Sequence, residues 1–185
     1  MDPENQPLDE ETTALANEII NGLDSDMRIV RSILNNEQIE EDEEKDISLT
    51  VTYWNGDTYE GTYAPFKEPY DTVDKCMEIF HRVYTDEHCE ELYSYYFVDR
   101  YIREVDGKLY GAIIADPYGW YDLPIQNAVK VSNDEIIAIT TITFDDAGES
   151  KDFEIVLKNE DGEWKVDGRF VVDFYGEGTW YEEDC

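Results

Sequence analysis

The chain has 185 residues, 41% hydrophobic and 14% aromatic, which is enough for one well-buried domain with appendages and short of what two ordinary domains need. Forty-six acidic against 14 basic residues give a net charge of -32, a field that repels nucleic-acid phosphate and anionic lipid and argues against both as partners. No apolar run approaches the ~20 residues that span a bilayer, so no membrane insertion is expected, and three cysteines without metal spacing exclude a disulfide framework.

Residues 1–11 form a Pro- and acid-rich leader without the basic-then-apolar pattern of a signal peptide. Leaders of this kind tether exported domains, so the expected location is extracellular or at the cell surface, with a signal segment removed before Met1. Thr12 or Thr13 caps a predicted helix whose apolar positions Leu15, Ile19, Leu23, Met27, Val30 and Leu34 recur at three- and four-residue steps. Gly22 interrupts this stripe, and Asn35 and Asn36 end it. Residues 37–46 are almost wholly acidic and read as a solvated linker. The organisation expected is therefore a leader at 1–11, a helix and acidic linker at 12–46, and an α+β domain at 47–185 that shares a single core with the helix.

Residues 47–54 alternate, meet Asn55-Gly56 and continue to Tyr63, a hairpin pattern. Pro65 and Pro69 break the strand. Thr72 then caps a helix from Val73 to about Val83 with Cys76, Met77 and Phe80 inward, and Thr85 caps another with Cys89, Leu92, Tyr93 and Tyr96 inward. A second hairpin turns at Asp106-Gly107, between the strands around Tyr101 and Tyr110. After a loop at 116–124, strands are expected at 125–131, 135–144, 150–157 and 163–172, joined by connections short enough to force antiparallel neighbours. The class expected is α+β, with N-terminal helices packed on a curved antiparallel sheet whose second half is a meander.

Little in the chain carries catalytic chemistry. His81 and His88 lack a sequence neighbour that reads as a nucleophile or metal partner, and solvent-facing or capping roles are expected for both. The segments 145–148 and 159–162 resemble calcium loops in composition without alternating oxygen ligands, so they are turns. No catalytic residue, metal site or cofactor is expected. Cys76 and Cys89 fall on apolar stripes, where they pair in an oxidising compartment or stay as buried thiols, and Cys185 is terminal and incidental. The anomaly is the loop at 116–124, where Tyr118, Trp120 and Tyr121 stand among Asp116, Asp122, Gly and Pro. Such rings either fold back over the end of the sheet or project as anchors for a partner, and Asp116, Tyr118, Trp120, Tyr121 and Asp122 are the candidate contact residues. A second aromatic group, Phe174, Tyr175, Trp180 and Tyr181, closes the chain.

The order of these segments is similar to a known family. The strand end Tyr63-Ala64-Pro65-Phe66, the capped helix from Thr72 to Met77, the run Tyr84-Thr85-Asp86-Glu87, the motif 104–110 and the closing 159–167 together resemble the bacterial DL-endopeptidase inhibitors, the IseA-like autolysin inhibitors. The similarity spans roughly residues 12–172, and its broader relatives are cystatin-like and NTF2-like domains. It implies an extracytoplasmic, non-enzymatic protein that binds a cell-wall endopeptidase of the NlpC/P60 type and blocks its active-site groove; the net charge separately points to a protein partner of basic character, and a monomer is expected. The alternative it implies is an NTF2-like small-molecule-binding or catalytic domain with a conical pocket lined by a titratable group such as His81.

Overall fold

A computed structural model describes residues 9–40, 42–52, 58–97, 101–113, 124–144 and 149–167. In chain order these form α1 (Glu10–Leu34), β1 (Ile47–Thr52), β2 (Thr58–Pro65), α2 (Val73–Val83), α3 (Asp86–Tyr96), β3 (Ile102–Val105), β4 (Lys108–Ala112), β5 (Ile125–Lys130), β6 (Glu135–Phe144), β7 (Glu149–Glu160) and β8 (Glu163–Asp167). The class is α+β with antiparallel sheets, as the sequence leads one to expect. The strands divide between two sheets of four, β1-β2-β4-β3 and β5-β6-β7-β8. The described residues likewise group into two compact units, one drawn from Met1–Ser25, Val83–Thr85 and Trp120–Cys185, the other from Asp26–Arg82 and Asp86–Gly119.

α1 begins at Glu10, capped by Asp9, three residues before the expected cap Thr12. Asp9 Oδ1 accepts the Thr12 backbone N–H at 3.2 Å and Oδ2 accepts the Thr12 hydroxyl at 2.5 Å, so Asp9 satisfies donors of the first turn. These bonds hold the Asp9 carboxyl below the usual carboxylate range. Thr12 is itself buried, in the place of the expected cap. The buried stripe runs Ala16, Ile20, Met27, Val30, Ile33 and Leu34, one residue later than Leu15 and Ile19, which are half-buried. Gly22 neither splits nor ends the helix. Asn36, at φ 58°, takes the left-handed position after the last turn; its N–H donates to Ile33 O at 3.0 Å and that of Glu37 to Ser32 O at 2.8 Å, a Schellman closure.

In the unit of β5 to β8, polar side chains of α1 bind the backbone of an edge strand. Asn17 Nδ2 donates to Ile125 O at 3.0 Å while its Oδ1 accepts the Ile125 N–H at 3.1 Å, as a neighbouring strand would. Thr13 Oγ1 accepts the Ala128 N–H at 3.1 Å. The grip falls where a bulge between Ile125 and Asn127 interrupts the pairing of β5 with β6. The opposite edge strand, β8, is met by a parallel bridge between Tyr84 and Val166, with Thr85 N–H donating to Val166 O at 3.1 Å and the Thr85 hydroxyl to Asp167 at 2.7 Å. Ile136, Ala138, Ile155, Leu157 and Val166 are fully buried between these two margins.

In the unit of β1 to β4, β1 pairs with β2 as expected, the Asn55-Gly56 turn between them lying outside the described residues, and the Asp106-Gly107 hairpin forms. Asp106 and Gly107 sit at φ 52° and 77°, the positive values a type I′ turn requires, and β3 pairs with β4 across them. β2 then pairs with β4 through Tyr63, Ala64 and Pro65. The acidic linker is not simply solvated: Ile39 is buried and bridges Phe66, Glu40 N–H donates to Pro65 O at 2.8 Å, and Lys67 N–H donates to Gln38 O at 2.8 Å. A single apolar residue among acids is enough to dock it. Asn36 closes the arrangement, with Nδ2 donating to Ala112 O at 3.0 Å and lying 3.5 Å from Tyr101 O. A Cβ on Gly111 would stand 2.6 Å from Asn36 Oδ1 and 2.8 Å from Ile39 Cγ2, so only glycine fits there. Cys76, Ile79, Phe80, Cys89, Leu92, Ile102 and Leu109 complete the buried set, and Met77 is half-buried.

Gly111→Ala is expected to cost about 1–3 kcal/mol, because the cap and the linker must both shift, and Asn17→Ala about the same, because a strand N–H and C=O lose their partner. Urea denaturation followed by circular dichroism measures both; a loss under about 0.5 kcal/mol in either variant contradicts the corresponding contact.

Candidate functional site

The candidate contact residues Asp116, Tyr118, Trp120, Tyr121 and Asp122 lie outside the described residues, as do the turn at 145–148 and the closing aromatics Phe174, Tyr175, Trp180 and Tyr181. What the structure describes is the anchoring of the two strands that the loop joins. On the β4 side, Ala112 N–H donates to Tyr101 O at 2.8 Å and Ile113 N–H to Thr62 O at 3.1 Å. On the β5 side, the Thr140 hydroxyl, fully buried, donates to Pro124 O at 2.9 Å, and Asn17 grips Ile125 immediately after. Thr62, Thr140 and Asn17 are remote in sequence from the loop, and no local signal announces them.

The histidines separate. His81 is 45% exposed and stands 2.9 Å from Asp86 Oδ1, as expected for a surface residue. His88 corrects the expectation: it is 2% exposed, on the inner face of α3 beside Cys89 and Leu92, with Nδ1 3.2 Å from Glu91 Oε2. Helical spacing carries position 88 to the same face as 92, so the period of α3 holds the signal. Tyr93 is a second correction. It was expected inward and is 36% exposed, its ring stacked on Phe97 at 5.5 Å, while Phe97 is buried and meets Phe80 edge-on at 6.0 Å. Tyr96 is half-buried, 4.9 Å from Tyr95 and 6.4 Å from Tyr101.

Cys76 and Cys89 are buried thiols that form no disulfide with each other. Cys76 Sγ lies 3.4 Å from Tyr70 O, and burial followed by the Asp71 carboxylate pushes its thiol up to about 12. Such a group is protonated at neutral pH and is no nucleophile. Three carboxylates move the other way: Asp71 is held below its usual range by Lys75 at 2.6 Å, Asp42 by the Glu44 N–H and then Lys45, and Asp9 by Thr12. Low carboxylates stay ionised, which suits a charged surface and not a general acid. Among the described residues no group of three His, Cys, Asp or Glu side chains is placed to hold a metal ion, and no helix is long and apolar enough to cross a membrane. The Asp161-Gly162 pair is a hairpin turn, with φ 54° and 95° and the Gly162 N–H bonded to Asn159 Oδ1 at 2.9 Å.

No family model matches the chain, and no curated protein matches it.

With Cys185 replaced by serine to remove the terminal thiol, the native protein is expected to leave Cys76 and Cys89 unlabelled by a thiol-reactive dye at pH 8 and to react fully in denaturant. The raised thiol of Cys76 also has a direction in pH: its share of stability is intact below the ordinary thiol value of 9.0 and is lost as pH rises towards about 12. Labelling of the native state within minutes contradicts the burial.

Proposed function

We propose that this protein is a non-enzymatic, extracytoplasmic inhibitor that acts as a monomer on a basic cell-wall DL-endopeptidase of the NlpC/P60 type, filling the enzyme's active-site groove. The observation that carries this reading is the charge: 46 acidic residues against 14 basic in a well-cored α+β protein. An excess this large selects cationic protein surfaces, accelerates encounter with them and rejects phosphate-bearing partners. The stem peptides cut by such endopeptidases are anionic, so an acidic loop imitates substrate without offering a scissile bond.

Three further observations support it. The segments 104–110 and 159–167, on which the similarity to the inhibitor family rests, are both hairpins with positive-φ Asp-Gly turns. The loop at 116–124 continues from a strand bonded on both sides to its neighbours, a rigid mount for contact residues. His81, the titratable group that a pocket-based reading would use, is exposed and engaged with Asp86.

The test is muralytic activity of a purified NlpC/P60 endopeptidase with and without the protein. Inhibition at micromolar excess is expected, and simultaneous Tyr118→Ala, Trp120→Ala and Tyr121→Ala is expected to weaken it by about a hundredfold, since interface aromatics commonly carry ~2 kcal/mol or more. Absence of inhibition overturns the function; full inhibition by the triple variant overturns the site.

A further inference from the structure

We infer that the outer face of α3 and the tyrosines on its flanks form a docking surface for an arginine- and lysine-bearing segment of a protein partner. The inference shares with the proposed function only the basic character of that partner.

Around the helix, His88, Cys89 and Leu92 turn inward, so the opposite side is presented to solvent. That side carries Glu87, Glu90 and Glu91, all exposed, and α3 has no basic residue in its last turn. Tyrosine stands on both flanks. On one, Tyr93 is 36% exposed and held parallel to the buried Phe97, with rings 18° apart, so its outer face is fixed in position. Tyr95 lies on the other and contacts the half-buried Tyr96 of the inner face at 4.9 Å; Tyr96 in turn meets Tyr101, itself 43% exposed, at 6.4 Å. Rings braced against each other present area to a partner with little entropy left to lose.

Charge decides the occupant. A second copy of this chain, itself at -32, would set carboxylate against carboxylate. Glu91 already reaches His88 at 3.2 Å, but an aliphatic partner would leave Glu87 and Glu90 without a counterion. A guanidinium or ammonium satisfies both elements, because it pairs with a carboxylate and is attracted to the face of a tyrosine ring. Arginine fits better than lysine, since its planar group stacks on the ring while its fork reaches the acid.

The probe is an octa-arginine peptide titrated into the full chain at about 0.15 M salt, where distant surface charge is largely screened, and followed amide by amide by NMR. Shift changes are expected to concentrate on residues 86–96 and 101, ahead of the more densely acidic linker. The variant carrying Tyr93→Gln, Tyr95→Gln and Tyr101→Gln keeps the net charge and is expected to bind about tenfold more weakly, whereas the corresponding phenylalanine variant stays within about twofold. Shifts spread in proportion to acidity along the chain, or equal binding by the glutamine variant, overturn the inference. The outcome is independent of endopeptidase inhibition: mapping to α3 without inhibition removes the proposed enzyme and keeps the surface, and inhibition without mapping does the reverse.

Discussion

A side-chain amide that pairs with strand backbone is the interaction on which this structure most depends. α1 uses it at Asn17, which presents N–H and C=O to Ile125 as a neighbouring strand would, and its closing residue Asn36 donates to Ala112 O. Short sheets have edges, and an unpaired edge either takes up water or recruits another chain. At β5 the helix supplies the missing partner, with Thr13 adding a bond to Ala128. At Gly111 the cost of a Cβ would fall on the same cap that ends the helix, so the closure of α1 and the path of β4 are one constraint. Burial of Met27, Val30, Ile33 and Leu34 supplies the driving force, and the amides supply the register.

The electrostatics follow from scarcity of cations. Lys45 is shared between Glu40 and Asp42, Lys75 pairs with Asp71, Arg82 with Glu78, Lys158 with Asp167 and Lys165 with Glu160. Exposed pairs like Arg82 and Glu78 add little stability. Among the described residues, these pairs engage at least Lys45, Lys75, Arg82, Lys158 and Lys165 within the molecule, in a chain with 46 acidic residues to 14 basic. The acidic field is thus a property of the folded surface and not of the leader and linker alone.

Local chemistry was legible and tertiary partnership was not. The helix expected from Val73 to about Val83 is α2 to the residue, because Thr72 and the apolar spacing lie within its own span. Both described Asp-Gly turns follow from the positive φ that only a few residues tolerate. Asp9 escaped notice as a cap because it sits in an acidic leader where one more acid carries no signal. The burial of Ile39 escaped for the same reason, since polar surroundings hide a residue whose neighbours in space come from elsewhere, whereas that of His88 was written in the period of α3. The division of the strands into two sheets depends on β2 choosing β4 across a helical pair, a choice that periodicity does not encode. For the candidate site, composition marked the aromatic loop at 116–124, while its anchors Thr62, Thr140 and Asn17 emerged only from the fold.

The central claim is that the negative field exists to bring a basic hydrolase to this surface. Stopped-flow association of the protein with an NlpC/P60 endopeptidase, measured from about 0.01 M to about 1 M salt, tests it most directly, since the screening length shrinks roughly tenfold over that range. The account predicts an association rate that falls by about tenfold or more as salt rises, with a dissociation rate that changes little. An association rate independent of salt, or no association at any salt, contradicts it.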